Sequence, residues 1–264
     1  MTENYILTSV NGPVVTIRLN RPDKRNALNH EMISELLASL KKYNQSDEVR
    51  IIVLKGSGSS FCSGADLNWM LNSSELPDQE NLSECEDLAS CFFHIYHSQK
   101  ITICFVHGSS MGGANGIVAS CDIAVALDNA QFGFPEVRAG IFPATIAPYV
   151  LNRTGPVKAH ELMITGRKFG AAEALRTGLI DRIVKSEESE SFLKTVINDI
   201  LSGSPEVQKK LKAMRLQHAK LSADQSVIND TAAILAQSRS SPEAHEGIIA
   251  AMQKRKPVWY TELK

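Results

Sequence analysis

The chain has 264 residues, 43% of them apolar and 22% charged, with a formal net charge of −1. That length suits one large domain or a core with a small extension, and the composition is that of a globular protein. The near-zero charge gives no electrostatic case for nucleic acid or an anionic membrane as main partner, and no apolar run approaches the ~20 residues that span a bilayer. The opening Met1-Thr2-Glu3-Asn4-Tyr5 has neither the basic nor the apolar stretch of a targeting signal, so the expected location is cytoplasmic. Five cysteines (Cys62, Cys85, Cys91, Cys104, Cys121) form an odd set without metal-type spacing and read as reduced thiols.

Tyr5 to Val10 and Val14 to Leu19 read as strands joined by the hairpin signal Asn11-Gly12. The polar loop from Asn20 to Asn26 precedes a helix from about Asn29 to Tyr43, with Met32, Leu36, Leu37 and Leu40 on one face. Ile51 to Leu54 is a short buried strand. Trp69 to Gln79 is polar, holds Pro77 and reads as a mobile loop; a helix from about Asn81 to His97 leads into the strand Ile101 to Val106. A turn at Gly112 opens a helix ending near Cys121. Strands are expected at Asp122 to Leu127, Gln131 to Phe134 and Leu179 to Val184, with helices at Pro143 to Leu151, Val157 to Leu162 and Ala171 to Arg176. Beyond Glu187 the pattern is helical: Phe192 to Leu201, Pro205 to Ala219, Gln225 to Gln237 and Ala244 to Lys254. Alternating strands and helices followed by helices alone imply a parallel-rich α/β core, residues 1–203, and a helical C-terminal region, residues 204–264.

Two glycine turns carry the chemistry. Phe61-Cys62-Ser63-Gly64-Ala65-Asp66 and His107-Gly108-Ser109-Ser110-Met111-Gly112-Gly113 each follow a β-branched run and precede a helix. Such turns present backbone N–H groups with little steric cover, and two side by side can aim one N–H each at a single carbonyl oxygen. The same residues permit a second reading. Gly108-Ser109-Ser110-Met111-Gly112 fits the G-x-S-x-G elbow of serine hydrolases, with Ser110 as nucleophile and Asp181 followed by His218 or His245 as partners. Both histidines fall in helical patterns, whereas a triad histidine sits on a loop. Cys62 is a further nucleophile candidate, against the plainer reading of a small residue in a tight turn. No dinucleotide or Walker loop spacing fits the glycines.

A third element, Phe132-Gly133-Phe134-Pro135-Glu136-Val137-Arg138, follows a strand and presents one carboxylate. Taken in order, Asn20-Arg21-Pro22, Asn26-Ala27-Leu28, Phe61 to Leu67, Gly108 to Gly113, Cys121-Asp122-Ile123, Pro135-Glu136, Thr165-Gly166-Arg167 and Ala172-Glu173-Ala174 resemble the enoyl-CoA hydratase/isomerase (crotonase) family over nearly the whole chain. The resemblance implies an acyl-CoA lyase forming a thioester enolate. Ala65 and Gly113 would supply the oxyanion N–H groups and Glu136 the general acid/base, its pKa raised by apolar neighbours.

The family's CoA-binding segments fall on Lys24, Arg25, Ala27, Leu28, Ser63, Asp66, Leu67, Asn68, Gly112 and Pro135, with Lys254 near the end of the chain. Asp66 also suits a helix cap or a loop brace. No metal or redox cofactor is implied, coenzyme A being part of the substrate, and the expected assembly is a homo-trimer or hexamer. Gly116 stands where many of the family's hydratases carry a second glutamate. A single carboxylate suffices for a Δ3-Δ2 isomerase, whereas Ala144-Thr145-Ile146-Ala147-Pro148-Tyr149-Val150 resembles methylglutaconyl-CoA hydratases of leucine degradation. In that case Arg138 is a candidate partner for the substrate's distal carboxylate.

Overall fold

A computed structural model describes residues 4–217 and 242–262. The expected helix at Gln225 to Gln237, and His218, lie outside the described residues. The chain divides into two compact units, Met1–Ser189 and Glu190–Lys264, upstream of the boundary read at Gly203.

The first unit is built on a six-stranded sheet. Its strands are β1 (Ile6–Asn11), β2 (Val14–Leu19), β3 (Ile51–Gly56), β4 (Ile101–Val106), β6 (Ile123–Leu127) and β9 (Arg182–Val184), in the order β1-β2-β3-β4-β6-β9. In this sheet only the β1–β2 hairpin is antiparallel, with Ile6 opposite Leu19; β2, β3, β4, β6 and β9 run parallel. Burial follows from that arrangement. The inner strands β3 and β4 are apolar almost without interruption, as parallel strands covered on both faces must be. The edge strand β1 buries only Ile6.

Helix α1 (His30–Asn44) starts where Asn29 Oδ1 accepts the Met32 N–H at 3.2 Å. It buries Met32, Ile33, Leu36, Leu37, Leu40 and Tyr43, the expected face extended by two residues. Helices α3 (Asp78–Tyr96) and α4 (Gly113–Ser120) also join the core, through Cys91, Phe92 and Ile95 and through a nearly all-buried α4. The unit is completed by α2 (Leu67–Ser74), α5 (Ala147–Thr154), α6 (Pro156–Thr165) and α7 (Ala171–Arg176).

A second, three-stranded sheet was only partly foreseen. It consists of β5 (Ser109–Met111), β7 (Gln131–Gly133) and β8 (Lys168–Gly170), in the order β5-β7-β8. β5 lies inside the second glycine turn and β8 is three residues long, too short for alternation to be read.

Two further expectations change. Trp69 to Gln79 is not a loop: α2 runs to Ser74 and α3 begins at Asp78. The helix expected from Pro143 begins at Ala147, with Pro148 in its first turn, a position where a missing N–H costs nothing.

The second unit carries α8 (Ser189–Ser202), α9 (Pro205–Gln217) and α10 (Pro242–Met252). Within it Arg255 forms a two-pronged ion pair with Glu246, at 2.7 and 2.8 Å, and Trp259 Nε1 donates to Ser202 O at 3.1 Å.

Candidate active site

The two glycine turns lie side by side. Cys62 N–H donates to Ser109 O at 3.0 Å and Met111 N–H donates to Cys62 O at 3.1 Å. A Cβ on Gly64, whose φ is +96°, would stand 2.9 Å from Met111 O, so the close approach requires glycine there. The Lys24 to Leu28 segment is tied in next to the first turn: Leu28 N–H donates to Gly64 O at 2.8 Å and Asp66 N–H to Leu28 O at 2.8 Å.

Asn26 holds that segment down. It is fully buried with φ +56°; its Nδ2 reaches Ser57 O and Ser60 O at 2.8 Å and Phe61 O at 3.1 Å, while Oδ1 accepts from Arg21 N at 2.8 Å. The sequence showed Asn26 only as part of a motif; its bracing of backbone some thirty residues away is visible only in the fold.

Leu28 uses both its N–H and its carbonyl on the residues flanking Ala65, so the Ala65 N–H is directed away from that ladder. The Gly113 N–H is the first of α4, where no intrahelical acceptor exists. Both residues line one cavity of about 360 Å³, together with Leu28, Glu84, Leu88, Glu136 and others.

Glu136 reaches this cavity through strand pairing. β5 and β7 run parallel with Met111 opposite Gly133, and Gly112 N–H donates to Gly133 O at 2.9 Å. Three residues later, in the 3-10 turn Pro135–Ala139, the Glu136 carboxyl packs on Gly112. A Cβ on Gly112 (φ +52°) would stand 2.7 Å from Glu136 Oε1, so only glycine admits the carboxyl here. Glu136 Oε2 is buried without a hydrogen-bond partner among the described residues. Burial raises the Glu136 pKa above the ordinary 4.5, partly offset by its own backbone N–H.

A larger cavity of about 780 Å³ adjoins it, sharing Ala65, Trp69, Ser73 and Glu84. Lys24, Arg25, Ala27, Ser63, Asp66, Leu67 and Asn68 all line it, together with Arg21 and His30. Asp66 has a structural duty there. Its Oδ1 accepts the Asn68 N–H at 2.9 Å and caps α2, while Oδ2 pairs with Arg21 at 2.7 Å. Burial opposes its ionisation, but the Arg21 hydrogen bond and the helix N–H groups outweigh it and lower its pKa.

Other sequence candidates fall elsewhere. Ser110 is fully buried and its Oγ donates to Asn115 Oδ1 at 2.7 Å, while Asn115 Nδ2 donates to Gly133 O at 2.8 Å. Asp181 accepts from Arg153 at 2.5 Å and from Ala124 N at 2.7 Å. The Ser110 hydroxyl and the Asp181 carboxylate are thus both engaged in contacts within the fold rather than with each other, while His218 and the His245 side chain lie outside what the structure describes. Cys62 is fully buried, which pushes its thiol up to about 12 and disables it as a nucleophile. Pro135 is exposed at the start of the 3-10 turn. Arg138 is exposed, lies against Gly166 and does not line the inner cavity. Lys254 is an exposed residue of the second unit.

At Gly116 the fold leaves no room for a side chain. A Cβ would stand 2.5 Å from Ile146 Cγ2 and 2.8 Å from Phe92 Cε1. Sequence reading also passed over Glu84. Its Oε2 accepts from Trp69 Nε1 at 2.7 Å and from Ser73 Oγ, fastening α2 to α3. The polarity of Trp69 to Gln79, taken as a loop signature, was the available clue.

A family model described as enoyl-CoA hydratase/isomerase matches residues 9–262. The short-chain-enoyl-CoA hydratase of Clostridium acetobutylicum is 30% identical over 260 residues, 97% of each chain. The mevalonyl-coenzyme A hydratase of Aspergillus fumigatus is 29% identical over 252 residues, 93% of this chain and 91% of that one. Among solved structures, an enoyl-CoA hydratase from Shewanella pealeana superimposes with a TM-score of 0.91 at 33% identity, covering 97% of this chain and 96% of that one.

Proposed function

Since the chain belongs to the enoyl-CoA hydratase/isomerase family, we propose that it hydrates an enoyl-CoA thioester through an enolate, with Glu136 as its one acid/base. The observation that carries this reading is the Glu136 carboxyl, with an unpartnered buried oxygen, in one cavity with the Ala65 and Gly113 turns. The outer cavity takes the nucleotide and pantetheine. Lys24 and Arg25 supply positive charge for phosphates there, while the Arg21–Asp66 pair and Asn26 hold the loop that presents them.

The reaction follows from the geometry. The thioester oxygen accepts the Ala65 and Gly113 N–H groups, which stabilise the charge that gathers on it. Removing one such donor typically costs ~10²–10³ in rate. Glu136, deprotonated, takes a proton from water as the oxygen of that water adds to C3. Electrons move through C2 onto the thioester oxygen. Protonated Glu136 then returns the proton to C2, giving the 3-hydroxyacyl thioester. Burial suits Glu136 to both steps, because a carboxyl with a raised pKa gives up and regains a proton nearer neutrality.

A second reading is a Δ3-Δ2 isomerase. The packing of Ile146 and Phe92 on Gly116 favours it, because it shuts out a second glutamate at that position. The dicarboxylate substrate of the methylglutaconyl type draws no support from Arg138, which is outside the inner cavity. The homo-trimer or hexamer that the resemblance implies is also part of this proposal, and light scattering on the purified protein tests it.

The test of function is a mass-spectrometric panel offering crotonyl-CoA, trans-3-hexenoyl-CoA and 3-methylglutaconyl-CoA to wild type and Glu136→Gln. An 18-dalton gain with crotonyl-CoA that the variant loses supports hydration. Migration of the double bond without mass change establishes the isomerase instead. Turnover that survives in the variant overturns the role of Glu136.

A further inference from the structure

The two cavities differ in their cations. Arg21, Lys24, Arg25 and His30 line the outer one, interleaved with the carboxylates of Asp23, Glu31, Asp66 and Glu84. The inner one has no Lys, Arg or His among its described lining residues, yet it holds two carboxyl groups, Glu136 and Glu84. Glu136 has its chemistry at the glycine turns. Glu84 sits on α3 and lines both cavities, so an acyl group entering the inner cavity meets it.

Glu84 is held by hydrogen bonds at one oxygen and by a longer ion-pair contact at the other. Oε2 accepts from both Trp69 Nε1, at 2.7 Å, and Ser73 Oγ. Oε1 makes an ion-pair contact of 3.5 Å with Nδ1 of His30, a residue of the outer cavity, too long for a well-formed hydrogen bond. A carboxylate oxygen accepts two hydrogen bonds, so Oε1 keeps acceptor capacity.

The geometry points to Glu84 as the residue that selects the acyl group: it favours neutral groups bearing a hydroxyl or amide donor and rejects groups ending in a carboxylate. This rests on the reading that the inner cavity receives the acyl chain. A substrate carboxylate inside it would be stripped of water beside a like charge, with no described cation in the lining to neutralise it. A hydroxyl would instead donate to Glu84 Oε1, a charge-assisted bond stronger than one between neutral groups. Trp69 and Ser73 are positioning residues, because they fix which way Glu84 points.

Equilibrium binding of three unreactive thioesters of equal chain length tests this: pentanoyl-CoA, 5-hydroxypentanoyl-CoA and glutaryl-CoA, by calorimetry at neutral pH. In wild type glutaryl-CoA is expected to bind about tenfold or more weakly than pentanoyl-CoA, and the hydroxylated thioester most tightly. In Glu84→Gln the glutaryl-to-pentanoyl ratio should shrink to within about threefold. Wild type that binds glutaryl-CoA as well as pentanoyl-CoA overturns the proposal without recourse to any variant. An unchanged ratio in a folded Glu84→Gln overturns it too, and so does failure of all three to bind. The wild-type ratio needs no turnover. If it holds while the panel above shows no Glu136-dependent reaction, the catalytic reading falls and the selectivity stands; turnover with no selectivity is the reverse.

Discussion

The cavity wall built from the second glycine turn and the wall built from α2 and α3 are made on different principles. In the first, backbone does nearly everything. β5 pairs with β7, Gly112 bonds to Gly133, and the small sheet delivers Glu136 onto a glycine that admits no Cβ. Beneath it the side chains of Ser110 and Asn115 are spoken for, and one carboxyl oxygen of Glu136 is left without a partner among the described residues. In the second wall side chains do the work. α2 leaves Leu67 and Leu71 largely exposed and is held by its Asp66 cap and by the bonds of Trp69 and Ser73 to Glu84. On the function proposed above, packing fixes the place where charge develops, and replaceable polar contacts fix what enters.

The largest expected effect comes from forcing a side chain into the packed wall. Gly116→Glu places a Cβ on Ile146 and Phe92 and buries a carboxylate with them, a cost of about 3 kcal/mol or more. Little soluble protein should be recovered, and circular dichroism of what remains should show a lower melting temperature. A well-folded variant with faster hydration would mean that the position is open after all.

Glu136→Gln comes next. It should lower kcat by ~10²–10⁴ in steady-state assays, without loss of stability. The stability arm has a pH signature. Because the folded pKa of Glu136 is raised, the folded state holds this proton more firmly than the unfolded one. Its contribution is complete below the unfolded pKa, near 4.5, and fades as pH rises through the folded value. The melting temperature of the glutamine variant should thus gain on wild type as pH is raised from 4.5. Wild-type activity should rise over the same window, because the base must be ionised to accept a proton.

Gly112→Ala sharpens the contrast at a single atom. The added methyl meets Glu136 Oε1, and at φ +52° the backbone resists it as well. A displaced carboxyl should cost ~10² in kcat/KM. On the other wall Asp66→Ala removes the α2 cap, worth about 1 kcal/mol, or roughly 2–4 °C in melting temperature. It should raise KM more than it lowers kcat. A fall in kcat as large as that of Gly112→Ala would erase the distinction between the walls.

The same contrast explains what could be read in the sequence. The parallel sheet was legible because Ile51 to Leu54 and Ile101 to Val106 are continuous apolar runs that fit only a doubly covered strand. The glycine turns were legible because backbone geometry demands glycine there, and Glu136 through the ordered motifs of the family resemblance. In the other wall α3 was legible, expected from about Asn81 to His97 and found at Asp78–Tyr96, but α2 was not. That helix turns few apolar residues inward, so no period of 3.6 appears, and a polar, proline-containing stretch passed for a loop. Glu84 falls in the expected helix but was missed because the partners that give it a direction, Trp69 and Ser73, lie eleven or more residues away in sequence. Ser110 matched an elbow motif yet proved to be core, because a motif specifies the turn and not what the turn faces.

The central claim is that one carboxylate moves the proton and the other chooses the acyl group. Side-by-side kinetics of Glu136→Gln and Glu84→Gln on crotonyl-CoA test it most directly. The account predicts a loss in kcat of ~10² or more for Glu136→Gln, with Glu84→Gln acting mainly through KM. A loss in kcat for Glu84→Gln as deep as that for Glu136→Gln would contradict it, and would make the site a two-carboxylate centre.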